Sequence, residues 1–179
     1  MQTFHPFLSK SSSAISFGAK EIGPYYWVGH CENGVDYFAG QTFLTPASGI
    51  LKRISLFPSI VFGNTNATLS LYEFDRVNHT WKRKHAEVKK YVAKAMEGQW
   101  LDFELRGFEV NKDGSYGFKL SCNNGGMLAI AECPWNILNP YREGEEWIGS
   151  SQSPDGNFYK DFDLAFEGEI EPSLNVKLI

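Results

Sequence analysis

The chain lacks the marks of several large classes of protein. Lys and Arg number 17 against 21 Asp and Glu, a net charge of −4, so it carries no basic field. No nucleic-acid partner is therefore expected. No stretch approaches the roughly 20 consecutive apolar residues that cross a bilayer, and no membrane insertion is expected. The first 18 residues hold no charged head followed by an apolar run, so no export signal is expected either. Gly-x-Ser-x-Gly, a phosphate-cradling glycine loop and His-Glu-x-x-His are all missing, which removes support for serine-nucleophile, nucleotide and zincin chemistry.

Cysteine is scarce. Cys31, Cys122 and Cys133 cannot all pair, and no Cys-x-x-Cys or histidine spacing offers a zinc site. Cys122 and Cys133 flank one Gly-rich turn, where a hairpin disulfide would fit; three reduced, half-buried thiols are the preferred expectation. His5, His30, His79 and His85 share no spacing. No cofactor is expected.

What is present is alternation. Residues 50–57 place Ile50, Lys52, Ile54 and Leu56 on one side and Leu51, Arg53, Ser55 and Phe57 on the other. That pattern predicts a half-buried antiparallel strand, ended by Pro58. Similar runs occupy 22–27, 35–43, 68–74, 100–105, 115–122, 127–133 and 161–169. Turn residues separate them: Asn33-Gly34, Pro46-Ala47-Ser48-Gly49, Asn111-Lys112-Asp113-Gly114 and Asn123-Asn124-Gly125-Gly126. Residues 82–97 suit helix or strand; the surrounding strands favour a strand with one helical turn. Its cationic run from Lys82 to Lys94 reads as a solvated edge protected by lysine. With near ten strands, aromatics throughout and no internal repeat, the fold class is all-β, an antiparallel jelly-roll-like β-sandwich of two sheets. Residues 1–20 read as an N-terminal leader and edge segment, 21–179 as a single sandwich domain.

Several motifs together resemble a known family. They are Gln41-Thr42-Phe43, Pro46-Ala47-Ser48-Gly49-Ile50-Leu51, Ala67-Thr68-Leu69-Ser70-Leu71-Tyr72, Trp100-Leu101-Asp102-Phe103, Gly114-Ser115-Tyr116-Gly117-Phe118, Asn139-Pro140-Tyr141 with Gly144 and Trp147, and Asp163-Leu164-Ala165-Phe166. Over about residues 39–168 the chain resembles bacterial jelly-roll β-sandwich domains similar to carbohydrate-binding modules and galactose-binding-like domains. Such domains are often attached to secreted or surface proteins. The resemblance implies a glycan ligand, no catalysis and an extracellular or cell-surface location, which sits against the missing export signal.

Residues 134–160 read as mostly irregular, and a loop longer than about 12–15 residues without structure of its own is usually functional or disordered. Sugars are held by flat aromatic faces, with amides and carboxylates taking their hydroxyls. The candidate ligand-binding set is Trp135, Asn139, Tyr141, Trp147, Asp155, Asn157 and Tyr159. The opposing expectation is that Trp135, Tyr141 and Trp147 fold down to cap the sandwich end. Two further uses of this stretch stay open. Glu143, Glu145 or Glu146 near Asp161 or Asp163 would offer a glycosidase pair, given a separation of about 5 Å or 6.5–9.5 Å. Asp155, Asn157 and Asp161 would offer oxygens to a structural Ca²⁺. A protein partner meeting a sheet face or edge is the alternative to a glycan.

Overall fold

The computed structural model describes residues 13–31, 34–123 and 125–173. Thirteen strands run in the order β1 (Ile15–Ala19), β2 (Tyr25–His30), β3 (Asp36–Leu44), β4 (Gly49–Leu56), β5 (Pro58–Phe62), β6 (Thr65–Asp75), β7 (Thr80–Val92), β8 (Leu101–Val110), β9 (Ser115–Asn123), β10 (Met127–Ala131), β11 (Glu146–Ser150), β12 (Asn157–Tyr159) and β13 (Phe166–Pro172). They build two antiparallel sheets. The smaller has the order β1-β13-β4-β8; the larger runs β5-β10-β2-β3-β9-β6-β7, with β11 added to β3 and β12 to β11. The protein is an antiparallel all-β sandwich, compatible with a jelly-roll-like domain. Among the described residues no helix is long and apolar enough to cross a membrane.

The layers meet through large apolar side chains of both sheets. Leu51, Ile54, Leu56, Phe103 and Phe166 of the smaller sheet are buried, as are Phe43, Leu69, Leu71, Phe118 and Leu120 of the larger. The ring of Phe166 stands 5.9 Å from Phe118 and 6.4 Å from Phe43, so β13 is packed directly onto β3 and β9. Full burial of each such side chain contributes roughly 1.5–3 kcal/mol. On the wet face of the smaller sheet Arg53 reaches Glu169 at 2.8 Å and Asp102 at 2.9 Å, tying three neighbouring strands.

Four local expectations need correction. Ile50 and Leu56 do not share one uninterrupted face: the register shifts between Leu51 and Arg53, so Leu51, Ile54 and Leu56 all point inward. A β-bulge of this kind inserts one residue and reverses the phase of the residues beyond it. Pro58 ends β4 but also opens β5, where a proline is tolerated as the first residue of a strand. Residues 134–160 are not structureless, since β11 and β12 lie within them and β11 is hydrogen-bonded along β3. The strand expected over 22–27 instead runs from Tyr25 to His30 as β2, passing through Gly29.

The ambiguous stretch resolves as the strand β7, followed by one 3₁₀ turn at Lys94–Met96. It ends the nine-stranded sheet, with Lys82, Arg83, Lys84 and Lys89 exposed. All three cysteines are free. Burial pushes the Cys122 and Cys133 thiols up to about 12, so neither is a nucleophile near neutrality. Of the expected leader and edge segment (residues 1–20), residues 13–20 are described and carry β1, an edge strand of the smaller sheet; residues 1–12, Glu32, Asn33, Asn124 and those from 174 onward lie outside the described residues.

Candidate functional site

The candidate site is a cleft at one end of the sandwich, and it arises from how β3 shares its partners. Strand β2 pairs only with Tyr37 and Asp36 at the start of β3, while β11 pairs with residues 37–41. The strands splay apart there, and side chains on the core-facing side are left uncovered. Tyr26 lies opposite Ile130, Glu146 opposite both Gln41 and Tyr159, and Ile148 two residues further along the same face. Glu132 follows Ile130 by two positions and bridges Leu164. Tyr26, Glu132, Glu146 and Ile148 form the walls and floor of a cavity of about 230 Å³, and Trp135, Tyr159 and Phe162 form its rim.

The rim is a chain of edge-to-face rings. Trp135 and Phe162 are 6.0 Å apart at 76°, and Phe162 and Tyr159 are 6.3 Å apart at 75°. Such T-shaped pairs satisfy the ring quadrupoles and add about 0.5–1.5 kcal/mol beyond area burial. The Trp135 indole N–H donates to Glu132 Oε2 at 2.9 Å, which fixes the ring although the side chain is 67% exposed.

The floor is a carboxyl pair. Glu146 is 2% exposed and Glu132 8%, and both carboxyls line the same cavity. Burial first, then Glu132 and Asp163, raise Glu146 to about 9. Burial beside a second carboxyl disfavours the charged form, so Glu146 stays protonated at neutral pH. No N–H or O–H donor of the described residues reaches Glu146 Oε2. Burial likewise pushes the Tyr26 hydroxyl up to about 12.

Behind the floor Asp163 anchors the connection that carries Trp135. It accepts from Gln41 Nε2 at 2.8 Å and from the Tyr141 backbone N–H at 2.9 Å. Burial raises its carboxyl to about 7 against those two hydrogen bonds.

Of the residues expected to bind ligand, Trp135 and Tyr159 meet at this cleft. Tyr141 is buried, its hydroxyl donating to the Leu44 carbonyl at 3.2 Å. Asn139 is half-buried with a left-handed backbone, φ 48°. Trp147 is 1% exposed and lies on the opposite face of the larger sheet, its indole N–H on the Asp155 carbonyl. Asp155 and Asn157 are exposed beside it. Of the acidic candidates, Glu146 joins the cleft, Glu145 pairs with His79 at 3.3 Å, and Glu143 and Asp161 are exposed. No three His, Cys, Asp or Glu side chains among the described residues gather as a metal site.

Sequence reasoning missed Glu132, Tyr26 and Phe162. A usable signal existed for Glu132. It continues the inward-facing series Leu128, Ile130, and an acid at a core-facing position is costly unless it has a partner or a purpose.

A second depression of about 230 Å³ lies on the outer face, lined by Lys119, Trp147, Tyr72, Ser70 and Ser121 among others. The Lys119 ammonium stands 4.1 Å from the Trp147 ring centroid and 4.9 Å from that of Trp81. Fold and cleft together define a β-sandwich with an aromatic-rimmed, acid-floored end pocket. The chain matches no family model and no curated protein.

Proposed function

We propose that this is a non-catalytic binding module of the jelly-roll type, and that its end cleft takes a carbohydrate unit. One observation carries the reading: three rings, Trp135, Phe162 and Tyr159, surround a buried carboxyl pair in a cavity of about 230 Å³, the volume of one sugar ring and its neighbours' edges. Ring C–H faces would lie on the aromatics, and hydroxyl donors would meet the carboxyls. An affinity near 1 mM needs only about −4.1 kcal/mol, which a shallow site of this kind can supply.

The carboxyl geometry favours binding over hydrolysis. A retaining or inverting pair stands about 5 Å or 6.5–9.5 Å apart so that the anomeric centre or a water fits between. Here Glu132 Oε2 is already held by the Trp135 indole N–H, and Glu146 is 2% exposed in the floor of the same small cavity.

Isothermal titration against a panel of oligosaccharides tests the proposal. Binding is expected for at least one glycan and is lost in Trp135→Ala and Tyr159→Ala, whose rings are 67% and 40% exposed and whose removal leaves the fold intact. No binding across the panel, or binding that ignores both substitutions, would end it.

A further inference from the structure

We infer that the Glu132–Glu146 pair is a cation subsite, and that the sugar unit preferred by this cleft carries a free amino group. The assignment rests on the glycan reading above and sharpens its ligand class. Every group lining the cleft is one that attracts positive charge or is indifferent to it. Two are carboxyls, four are aromatic rings with negative faces, and one is Ile148; none is Lys, Arg or His. Glu146 is 98% buried, by its 2% exposure, and its Oε2 lacks any donor among the described residues. No cation lines the cleft to neutralise either carboxyl, and the remaining lining is apolar or aromatic.

A neutral hydroxyl would add one weak hydrogen bond to such a floor. An ammonium offers three donors and a full charge, and takes the place of the Glu146 proton while lying between both carboxyls. The rings of Trp135, Tyr159 and Tyr26 around it supply cation–π attraction, which strengthens when the site is desolvated. The titratable groups facing the pair from neighbouring elements are Asp163, Tyr26, Tyr159 and Cys133. None of them brings a compensating positive charge. Uptake of an ammonium thus expels a proton to solvent, and affinity rises with pH until the ligand amine itself deprotonates.

The full chain titrated calorimetrically with three trisaccharides and one alkylamine provides the test. The trisaccharides are β-1,4-glucosamine, its fully N-acetylated form and β-1,4-glucose; the amine is methylamine, which is methylammonium at neutral pH. The free-amine sugar is expected to bind about tenfold tighter than the other two, the worth of one desolvated cation–π and charge-assisted contact. Proton release is expected when the titration is repeated in buffers of different ionisation heat. Glu146→Gln should bring the three sugars to parity, because the free-amine sugar loses its charged partner while the other two lose at most one neutral hydrogen bond. If that variant fails to fold, Glu132→Gln, nearer the rim, serves the same purpose. Equal affinity of all three sugars for the native protein would overturn the cation subsite and leave the glycan reading standing. Binding of methylammonium but of no sugar would keep the subsite and remove the glycan reading. Silence from all four probes would remove both.

Discussion

Gln41 and Asp163, which are 122 positions apart in sequence, are joined by a fully buried hydrogen bond of 2.8 Å from the Gln41 amide N–H to the Asp163 carboxylate. The same amide accepts from the Leu164 backbone N–H at 2.9 Å. Gln41 thus uses both ends of its side chain to hold the segment entering β13 against β3. Gln41→Leu keeps the volume but leaves one acceptor and one N–H without partners in the interior. Each such orphan costs about 1–3 kcal/mol, so a loss of roughly 2–4 kcal/mol is expected by urea unfolding. A loss below about 0.5 kcal/mol would mean that water replaces the amide there.

Trp147 and Gly149, two positions apart on β11, point to the same outer face, and the indole lies over the glycine. A Cβ added at Gly149 would fall 2.5 Å from two ring carbons. The ring cannot easily yield, since it stands 5.7 Å from Trp81, donates to the Asp155 carbonyl and carries Lys119 on its face. Gly149→Ala is expected to lower stability by about 1–3 kcal/mol, the usual cost of overpacking. For a chain of this size that corresponds to a fall in Tm of about 2–4 °C per kcal/mol, read by calorimetry. An unchanged Tm would show that the indole is free to move.

Alternation made the two-layer architecture legible because a half-buried sheet writes its inner face at every second residue. Phe43, Leu69, Leu71, Phe118 and Leu120 all followed that rule. It failed where geometry is non-local. The bulge between Leu51 and Arg53 reverses the phase with no proline or glycine to announce it. Strand β11 was hidden because Trp147-Ile148-Gly149 reads as loop until β3 is beside it to accept its hydrogen bonds. Aromatic content alone could not separate Trp135 from Trp147, which the fold sends to rim and interior respectively. Glu132 and Glu146 stand 14 positions apart, and only the splaying of β2 from β11 brings them together.

The buried acids make stability depend on pH in a particular direction. Glu146 rises from 4.5 to about 9 and Asp163 from 3.8 to about 7, so between these limits the folded chain binds more protons than the unfolded chain. Stability linked to these groups is fully present below about pH 4 and is lost progressively as pH climbs toward 9. The Tm of the native protein is therefore expected to fall from pH 5 to pH 9. Glu146→Gln, which keeps a donor facing Glu132, should flatten the upper part of that fall and raise Tm at pH 9. A native Tm that stays level across the range would contradict the raised Glu146 and Asp163 carboxyls.

Lys119 on β9 titrates where lysines ordinarily do not. Its ammonium is caged by Trp147, Trp81 and Tyr72, and burial lowers it from 10.5 to about 8, while Asp155 acts in the opposite sense. Cation–π attraction of about 0.5–2 kcal/mol favours the charged form, so desolvation must exceed it. The sign for stability is the reverse of that for Glu146. Holding the proton is a cost below about pH 8 that is relieved as pH rises toward 10.5, because the unfolded chain then binds more protons than the folded one. Carbon-detected titration of the lysine Cε resonances should give Lys119 a midpoint near 8. Asp155→Asn changes an exposed residue and removes the opposing charge, so it should move that midpoint further down. Trp147→Leu should move it up, by opening the cage to water. A native midpoint above 10, or one indifferent to Asp155, would mean that the ammonium reaches solvent past the rings.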